Sequence, residues 1–170
     1  MKKLLIVFIG LLSFNNICAQ KYTETYIKDA NKIALDWWHQ VNTGQYEASY
    51  NKLSDALKNS TTLEQWLNQI SILMDEFGNL ESRIITDTYF QSELEGLKDG
   101  FYVIIEYNVN YSKTKNHTES LLLKQNDQLQ WGILDFNYTF QSLDDLIGDD
   151  NLMPLTTDDT EGLPPMKPTQ

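Results

Sequence analysis

Arg83 is the only arginine in the sequence, whereas lysine occurs ten times after residue 19. A guanidinium binds a carboxylate through two parallel hydrogen bonds, a geometry that an ammonium group cannot reproduce. We therefore consider two roles for Arg83. It is either a clamp for an acidic ligand or half of a structural ion pair with Glu119 or Glu106, and the sequence favours the ion pair.

Two carboxylates continue the alternation of apolar strand residues. Glu119 shares the alternation of Leu121, and Asp135 shares that of Trp131. A carboxylate on an apolar face can act as a general acid or base. With a two-residue loop at 126–127 these carboxylates face opposite sides of the sheet, and one inserted residue reverses that relation. We therefore predict no catalytic pair and keep acid–base chemistry as an alternative.

The two histidines do not suggest a metal site. His39 lies opposite the apolar face of its helix, so we expect it in solvent, and His117 falls in a polar turn. Cys18 is the only cysteine. We predict no metal and no cofactor, because no thiolate or second histidine lies near either imidazole in sequence.

Aromatic residues predict a ligand pocket between the first helix and the sheet. Tryptophan and tyrosine give a pocket apolar walls and polar tips. A small apolar or acidic ligand would suit such a space. The predicted lining residues are Trp37, Trp66, Arg83, Tyr107, Glu119 and Trp131.

The composition excludes one class of partner. The chain has 170 residues and a net charge of −11, with 41% hydrophobic residues. It therefore has no basic surplus for neutralising nucleic-acid phosphates. Its hydrophobic content is that of an ordinary globular domain.

The first nineteen residues have the pattern of a secretory signal peptide. Lys2 and Lys3 precede an apolar run at 4–12, which is too short to cross a membrane, and cleavage fits best after Ala19. We predict a secreted or periplasmic protein. The alternative is a lipoprotein acylated at Cys18, although the bulky Ile17 precedes that cysteine.

The mature chain divides into a helical part and a strand part. Apolar residues recur at three- and four-residue spacing in 22–41, again from Tyr46 to Leu57, and then after a capping-box pattern formed by Thr61 and Glu64. After Gly78 the pattern alternates, which predicts strands at 80–90, 101–111, 118–125 and 129–138. A turn is expected at 113–116.

These patterns predict an α+β fold, with N-terminal helices packed on a curved antiparallel sheet of about four strands. The predicted domain covers 20–140. Residues 141–170 contain seven acids, one lysine and all four prolines, which predicts a disordered acidic tail.

Several short motifs resemble one bacterial secreted family, the domain of unknown function 4019. They are Gly44-Gln45-Tyr46-Glu47-Ala48-Ser49-Tyr50, Gln65-Trp66, Phe77-Gly78, Ser82-Arg83, Gly100-Phe101-Tyr102, Tyr107, Glu119 before Leu121, and Trp131. The resemblance implies a cystatin-like cone of the nuclear-transport-factor-2 type and export, but no reaction. Gln128 stands where a glycine is expected, which leaves the register of the last hairpin open.

The sequence favours an exported, non-enzymatic binding or protein-interaction domain, because no catalytic constellation is recognisable. The alternative is a small-molecule carrier or acid–base enzyme that uses the cavity between the long helix and the sheet. A homodimer through the sheet face that carries Tyr102 and Ile104 is a third hypothesis.

Overall fold

Four helices precede a four-stranded antiparallel sheet. A computed structural model describes the backbone of residues 2–143 and the side chains of residues 22–143. The elements are α1 (Lys2–Asn42), α2 (Tyr46–Asn51), α3 (Asp55–Ser60), α4 (Leu63–Phe77), β1 (Leu80–Gln91), β2 (Tyr102–Tyr111), β3 (Thr114–Gln125) and β4 (Trp131–Ser142). The strands lie in sequence order β1-β2-β3-β4, and the predicted α+β class is confirmed.

The long helix α1 packs one face on the sheet. Ala30, Ala34, Trp37, Trp38 and Val41 are buried, at the three- and four-residue spacing that the sequence showed. Within the described residues, no helix has an apolar stretch long enough to cross a membrane. The predicted acidic tail lies outside the described residues from 144 onward, while β4 continues to Ser142.

The second predicted helix is two short helices separated by an extended segment. Ser54 N–H donates to Ile133 O at 2.7 Å, and Ile133 N–H donates to Lys52 O at 2.9 Å. These bonds break the helix because Leu53 pairs with the β4 edge instead. Gly132 allows this approach, since a Cβ there would lie 2.9 Å from Ser54 Cα.

Helix α4 has a capping box one residue later than expected. The Thr62 side chain accepts from Gln65 N–H at 3.2 Å, and Gln65 Oε1 accepts from Thr62 N–H at 2.9 Å. The prediction that Thr61 and Glu64 form this box was therefore wrong. The predicted end of the helix at Gly78 is confirmed, with φ of 81°.

Two sheet irregularities decide which side chains face the helices. Asn116, at φ 51°, is an extra residue in β3, so Thr114 and His117 both point into the core. Leu134 is an extra residue in β4, where Ile133 pairs with Leu123 and Asp135 pairs with Leu122. The predicted turn between β2 and β3 lies at Ser112-Lys113 instead of 113–116, because β3 already begins at Thr114.

Candidate functional site

Charged and polar side chains meet inside the domain at one place, which we call the polar cluster: Arg83, Tyr111, His117 and Glu119. Arg83 Nε donates to Glu119 Oε2 at 2.8 Å, and Arg83 Nη2 donates to Glu119 Oε1 at 3.3 Å. The predicted ion pair of Arg83 is therefore confirmed, and its partner is Glu119 and not Glu106. The Glu119 side chain is fully buried, and that of Arg83 is 9% exposed.

The Arg83 guanidinium is held between a carboxylate and an aromatic face. Its central carbon lies 3.5 Å from the ring centroid of Trp38, which α1 contributes. A guanidinium stacks on an indole favourably because its flat charge meets the negative ring face. The polar cluster therefore ties α1 to both β1 and β3.

Tyr111 links the two charges of the ion pair. Its hydroxyl accepts from Arg83 Nη2 at 2.6 Å and donates to Glu119 Oε1 at 3.0 Å. Burial, and after it the negative charge of Glu119, raises the pKa of Tyr111 far above its usual 10. Tyr111 is thus a neutral bridging group, and its hydroxyl does not ionise near neutral pH.

His117 is buried, whereas the sequence analysis placed it in a polar turn. Its Nδ1 lies 3.0 Å from Thr114 Oγ1, and its Nε2 lies 3.4 Å from Glu119 Oε1. The ring packs edge-on against Phe77, with centroids 4.4 Å apart. The alternation of His117 with Glu119, Leu121 and Leu123 was the signal that could have found it.

Tyr107 borders the polar cluster on β2. Its ring lies 5.9 Å from Trp38 in an edge-on arrangement, and it is buried. Burial raises the pKa of Tyr107 to about 12, although the positive charge of Arg83 opposes the shift. This tyrosine is therefore also neutral at physiological pH.

The six predicted pocket residues do not form one wall. Arg83, Tyr107 and Glu119 lie in or beside the polar cluster. Trp37 and Trp66 pack together with centroids 6.1 Å apart, and Trp66 Nε1 donates to Ser49 Oγ at 3.0 Å. Trp131 lies elsewhere, 6.2 Å from the ring of Tyr26.

Two further predictions about single residues are settled by burial. His39 is exposed, as expected from its helix face. Asp135 is exposed on the outer face of the sheet, so the prediction that it continues the inward alternation of Trp131 was wrong. The reason is the extra residue Leu134, which moves the later side chains of β4 to the opposite face of the sheet.

An open groove of about 690 Å³ lies between α1, the α2–α3 connection and the turn after β3. Trp131, Leu53 and Ile33 give it apolar surface. Lysines and aspartates surround this surface: Lys32, Lys52, Lys58, Lys124, Asp29, Asp55 and Asp127. Its size falls in the range of small-molecule sites.

Arg83, Tyr111 and Glu119 form a structural hydrogen-bonded network, whereas the buried His117 Nε2 lies 3.4 Å from Glu119 Oε1 without forming a hydrogen bond. Both carboxylate oxygens of Glu119 accept hydrogen bonds, and the carboxylate has no exposed surface. A general base must reach the proton that it removes, and this carboxylate is surrounded by protein groups. Among residues 22–143, no three acidic, histidine or cysteine side chains converge in a way that could hold a metal ion.

Fold and site together define a small α+β domain whose buried charges are paired with one another. The family model described as protein of unknown function (DUF4019) matches residues 33–136, more than half of the chain. The chain belongs to this family, as the short motifs indicated. No curated protein matches the chain.

Proposed function

We propose that this chain is an exported, non-enzymatic domain that binds a protein partner. One observation carries the proposal: the buried charges of Arg83 and Glu119 in the polar cluster neutralise each other. Arg83 and Glu119 satisfy each other, and Tyr111 and Tyr107 hold their protons well above neutral pH. Such an arrangement supports a structural role for these groups and not a catalytic one, because removal of either charge would leave the other buried without a partner.

Surface chemistry supports binding of a protein. Large apolar side chains remain exposed along one strand, β1: Leu80, Ile84, Ile85 and Tyr89. They are four of the eleven such side chains found among residues 22–143. Exposed apolar residues that collect on one element are typical of interaction surfaces.

The N-terminal residues support export. Lys2 and Lys3 before the apolar run at 4–12 and a small residue at Ala19 fit cleavage by a signal peptidase. The proposed mature protein begins at Gln20 and is secreted or periplasmic. The alternative is a lipid-anchored protein that begins at Cys18.

Intact mass measurement of the exported protein tests this proposal. A denatured mass that begins at Gln20 supports a soluble exported protein, and a diacylglycerol increment on Cys18 supports the anchored form. A denatured mass that still contains residue 1 in exporting cells contradicts export in either form.

The groove beside Trp131 supports a second candidate, a small-molecule carrier. Its volume of about 690 Å³ and its lysines would accommodate a small apolar or acidic ligand. The same protein sprayed under native conditions distinguishes the two candidates. A non-covalent mass excess that disappears on denaturation, and is reduced by Trp131→Ala but not by Trp66→Phe, favours the carrier over the interaction domain.

A further inference from the structure

We propose that the free edge of β1 binds an extended, lysine- or arginine-bearing segment of a partner protein as an additional strand. This inference rests on the proposed interaction function, and it names the surface and the chemistry of the partner. Strand addition supplies affinity through main-chain hydrogen bonds and specificity through alternate side chains.

The two edges of the sheet differ. The β4 edge is paired near its start, because Lys52 and Ser54 exchange backbone hydrogen bonds with Ile133. β1 pairs only with β2, and among the described residues no other backbone group bonds to residues 80–91. A strand of twelve residues therefore presents one free edge.

The part of β1 best suited to pairing is Asp87–Gln91. A register shift between Ile85 and Asp87 interrupts the strand, but beyond it the pairing with β2 is continuous from Asp87↔Glu106 to Gln91↔Tyr102. A bulge protects an edge locally, whereas this regular stretch offers backbone donors and acceptors, apart from Thr88 N–H, which donates to Asp87 Oδ1 at 2.7 Å.

Apolar surface flanks this stretch. Ile84 is 63% exposed, Ile85 is 45% exposed and Tyr89 is 40% exposed. Side chains alternate between the two faces of a strand, so Asp87 and Tyr89 lie on the same outer face. The Tyr89 hydroxyl donates to Asp87 Oδ2 at 2.7 Å, so a partner strand would meet one surface formed by the Asp87 carboxylate and the Tyr89 ring.

The charge of the partner follows from Asp87 and Glu106. These carboxylates are directly opposite one another in the register, where like charges destabilise a sheet. No lysine, arginine or histidine nitrogen within the described residues lies within 4.0 Å of either one. A cation brought by the partner would relieve the repulsion between them.

Other occupants fit this charge poorly. A second copy would bring the same two carboxylates and a net charge of −11, and the only arginine of its β1 already pairs with Glu119. Residues 144–170 of the same chain contain seven acids and one lysine. Electrostatic complementarity therefore selects a basic partner over both.

The experiment measures binding of short, end-blocked peptides to the exported full chain by fluorescence anisotropy at low salt. One peptide alternates lysine and valine, a second alternates glutamate and valine, and a third is the lysine peptide with alternate backbone nitrogens methylated. We expect binding of the first only, because the second is repelled and the third lacks the backbone donors.

Single substitutions then locate the site. Asp87→Asn and Glu106→Gln should each weaken the lysine peptide about two- to fivefold, the range of exposed charge pairs. Glu47→Gln, a matched change at an exposed carboxylate on α2, should leave affinity unchanged. Hydrogen exchange should show new protection at residues 87–91 when the lysine peptide is bound.

Several results would overturn the inference. They are absence of binding by the lysine peptide, equal binding of both charge types, or unchanged affinity in both carboxylate variants. Protection of β1 that depends on protein concentration alone would identify a second copy as the occupant. Protection by the peptide at another surface would refute the β1 site but not the interaction function. A small-molecule mass seen in the native spectrum and absent from the denatured one would refute the interaction function itself.

Discussion

Arg83 and Glu119 form a two-point ion pair although their strands are not neighbours. Arg83 lies on β1 opposite Val109 of β2, and Glu119 lies on β3 opposite Tyr107 of β2. The guanidinium therefore crosses β2 on the inner face of the sheet and reaches the carboxylate at 2.8 Å. Only a long side chain with a planar donor group can make this connection, which accounts for arginine at this position.

Removal of the arginine should destabilise the fold strongly. Arg83→Ala leaves the buried Glu119 carboxylate without its cation, and we expect a loss of about 3–5 kcal/mol in the free energy of unfolding. Arg83→Lys keeps the charge but cannot make both hydrogen bonds to Glu119, so the free energy of unfolding should fall by about 1–3 kcal/mol. Urea unfolding measures both.

The control for these variants is a solvent-exposed ion pair. Lys52 Nζ lies 3.7 Å from Asp36 Oδ2, and the two side chains are 31% and 50% exposed. Lys52→Ala should therefore change stability by less than about 1 kcal/mol. If Arg83→Lys were as mild as Lys52→Ala and instead removed a bound ligand, Arg83 would be a ligand clamp.

The hydroxyl of Tyr111 should contribute to stability through its two charged partners. Tyr111→Phe removes the bonds to Arg83 Nη2 and Glu119 Oε1 without opening a cavity. Hydrogen bonds to charged groups predict a loss of about 1.5–3 kcal/mol. Tyr138→Phe, at a partly exposed tyrosine, is the matched control, and equal effects of the two changes would refute the bridging role.

Stability should fall in alkaline solution. Tyrosines of the unfolded chain ionise near pH 10, whereas folded Tyr107 keeps its proton to about 12 and Tyr111 keeps its proton longer. The folded state therefore binds more protons than the unfolded state above pH 10. The stabilisation is complete below pH 10 and is lost as pH rises through the folded pKa of Tyr107.

Urea unfolding at a series of pH values between 9 and about 12 measures this decline. Absorbance of tyrosinate should show the same two residues ionising late. The decline should be shallower in Tyr107→Phe and Tyr111→Phe. Unchanged steepness in both variants would assign the alkaline loss to other groups.

Gly78 should tolerate no side chain, for two reasons. Its φ of 81° disfavours other residues, and an added Cβ would collide with Ser112 Oγ and lie 2.9 Å from Lys113 Cγ. Gly44 has a similar φ of 73° but nothing within 4 Å of an added Cβ. Thermal unfolding should therefore show a larger loss for Gly78→Ala than for Gly44→Ala, whose cost is backbone strain of about 1 kcal/mol. Equal losses would show that the contact with the β2–β3 turn contributes nothing.

Local patterns in the sequence were sufficient for most of the architecture. The spacing of Ala30, Ala34 and Trp37 predicts the buried face of α1, and the change to alternation after Gly78 predicts the sheet. These features depend on residues close together in the chain, so periodicity detects them. An ion pair of Arg83 was also foreseeable, since the chain has one guanidinium, but the sequence left Glu119 and Glu106 open as its partner.

The errors share a physical cause. The face of the sheet on which Asp135 lies depends on the extra residue Leu134. The burial of His117 depends on Asn116 adopting a positive φ. The predicted exposed face at Tyr102 was wrong because that residue is buried and its hydroxyl donates to Lys98 O in the β1–β2 connection. Each of these outcomes depends on how strands distant in sequence pair, or on which connection packs over a strand.

The sequence by itself determined the fold class, the family and the pairing of Arg83 with a carboxylate, because composition, periodicity and charge are properties of the chain. Only the tertiary structure decided that Glu119 is the partner of Arg83 and that β1 has a free edge. Those facts depend on which strands become neighbours and on where single extra residues shift the register. No local pattern encodes such relations, since a one-residue shift moves every later side chain to the other face.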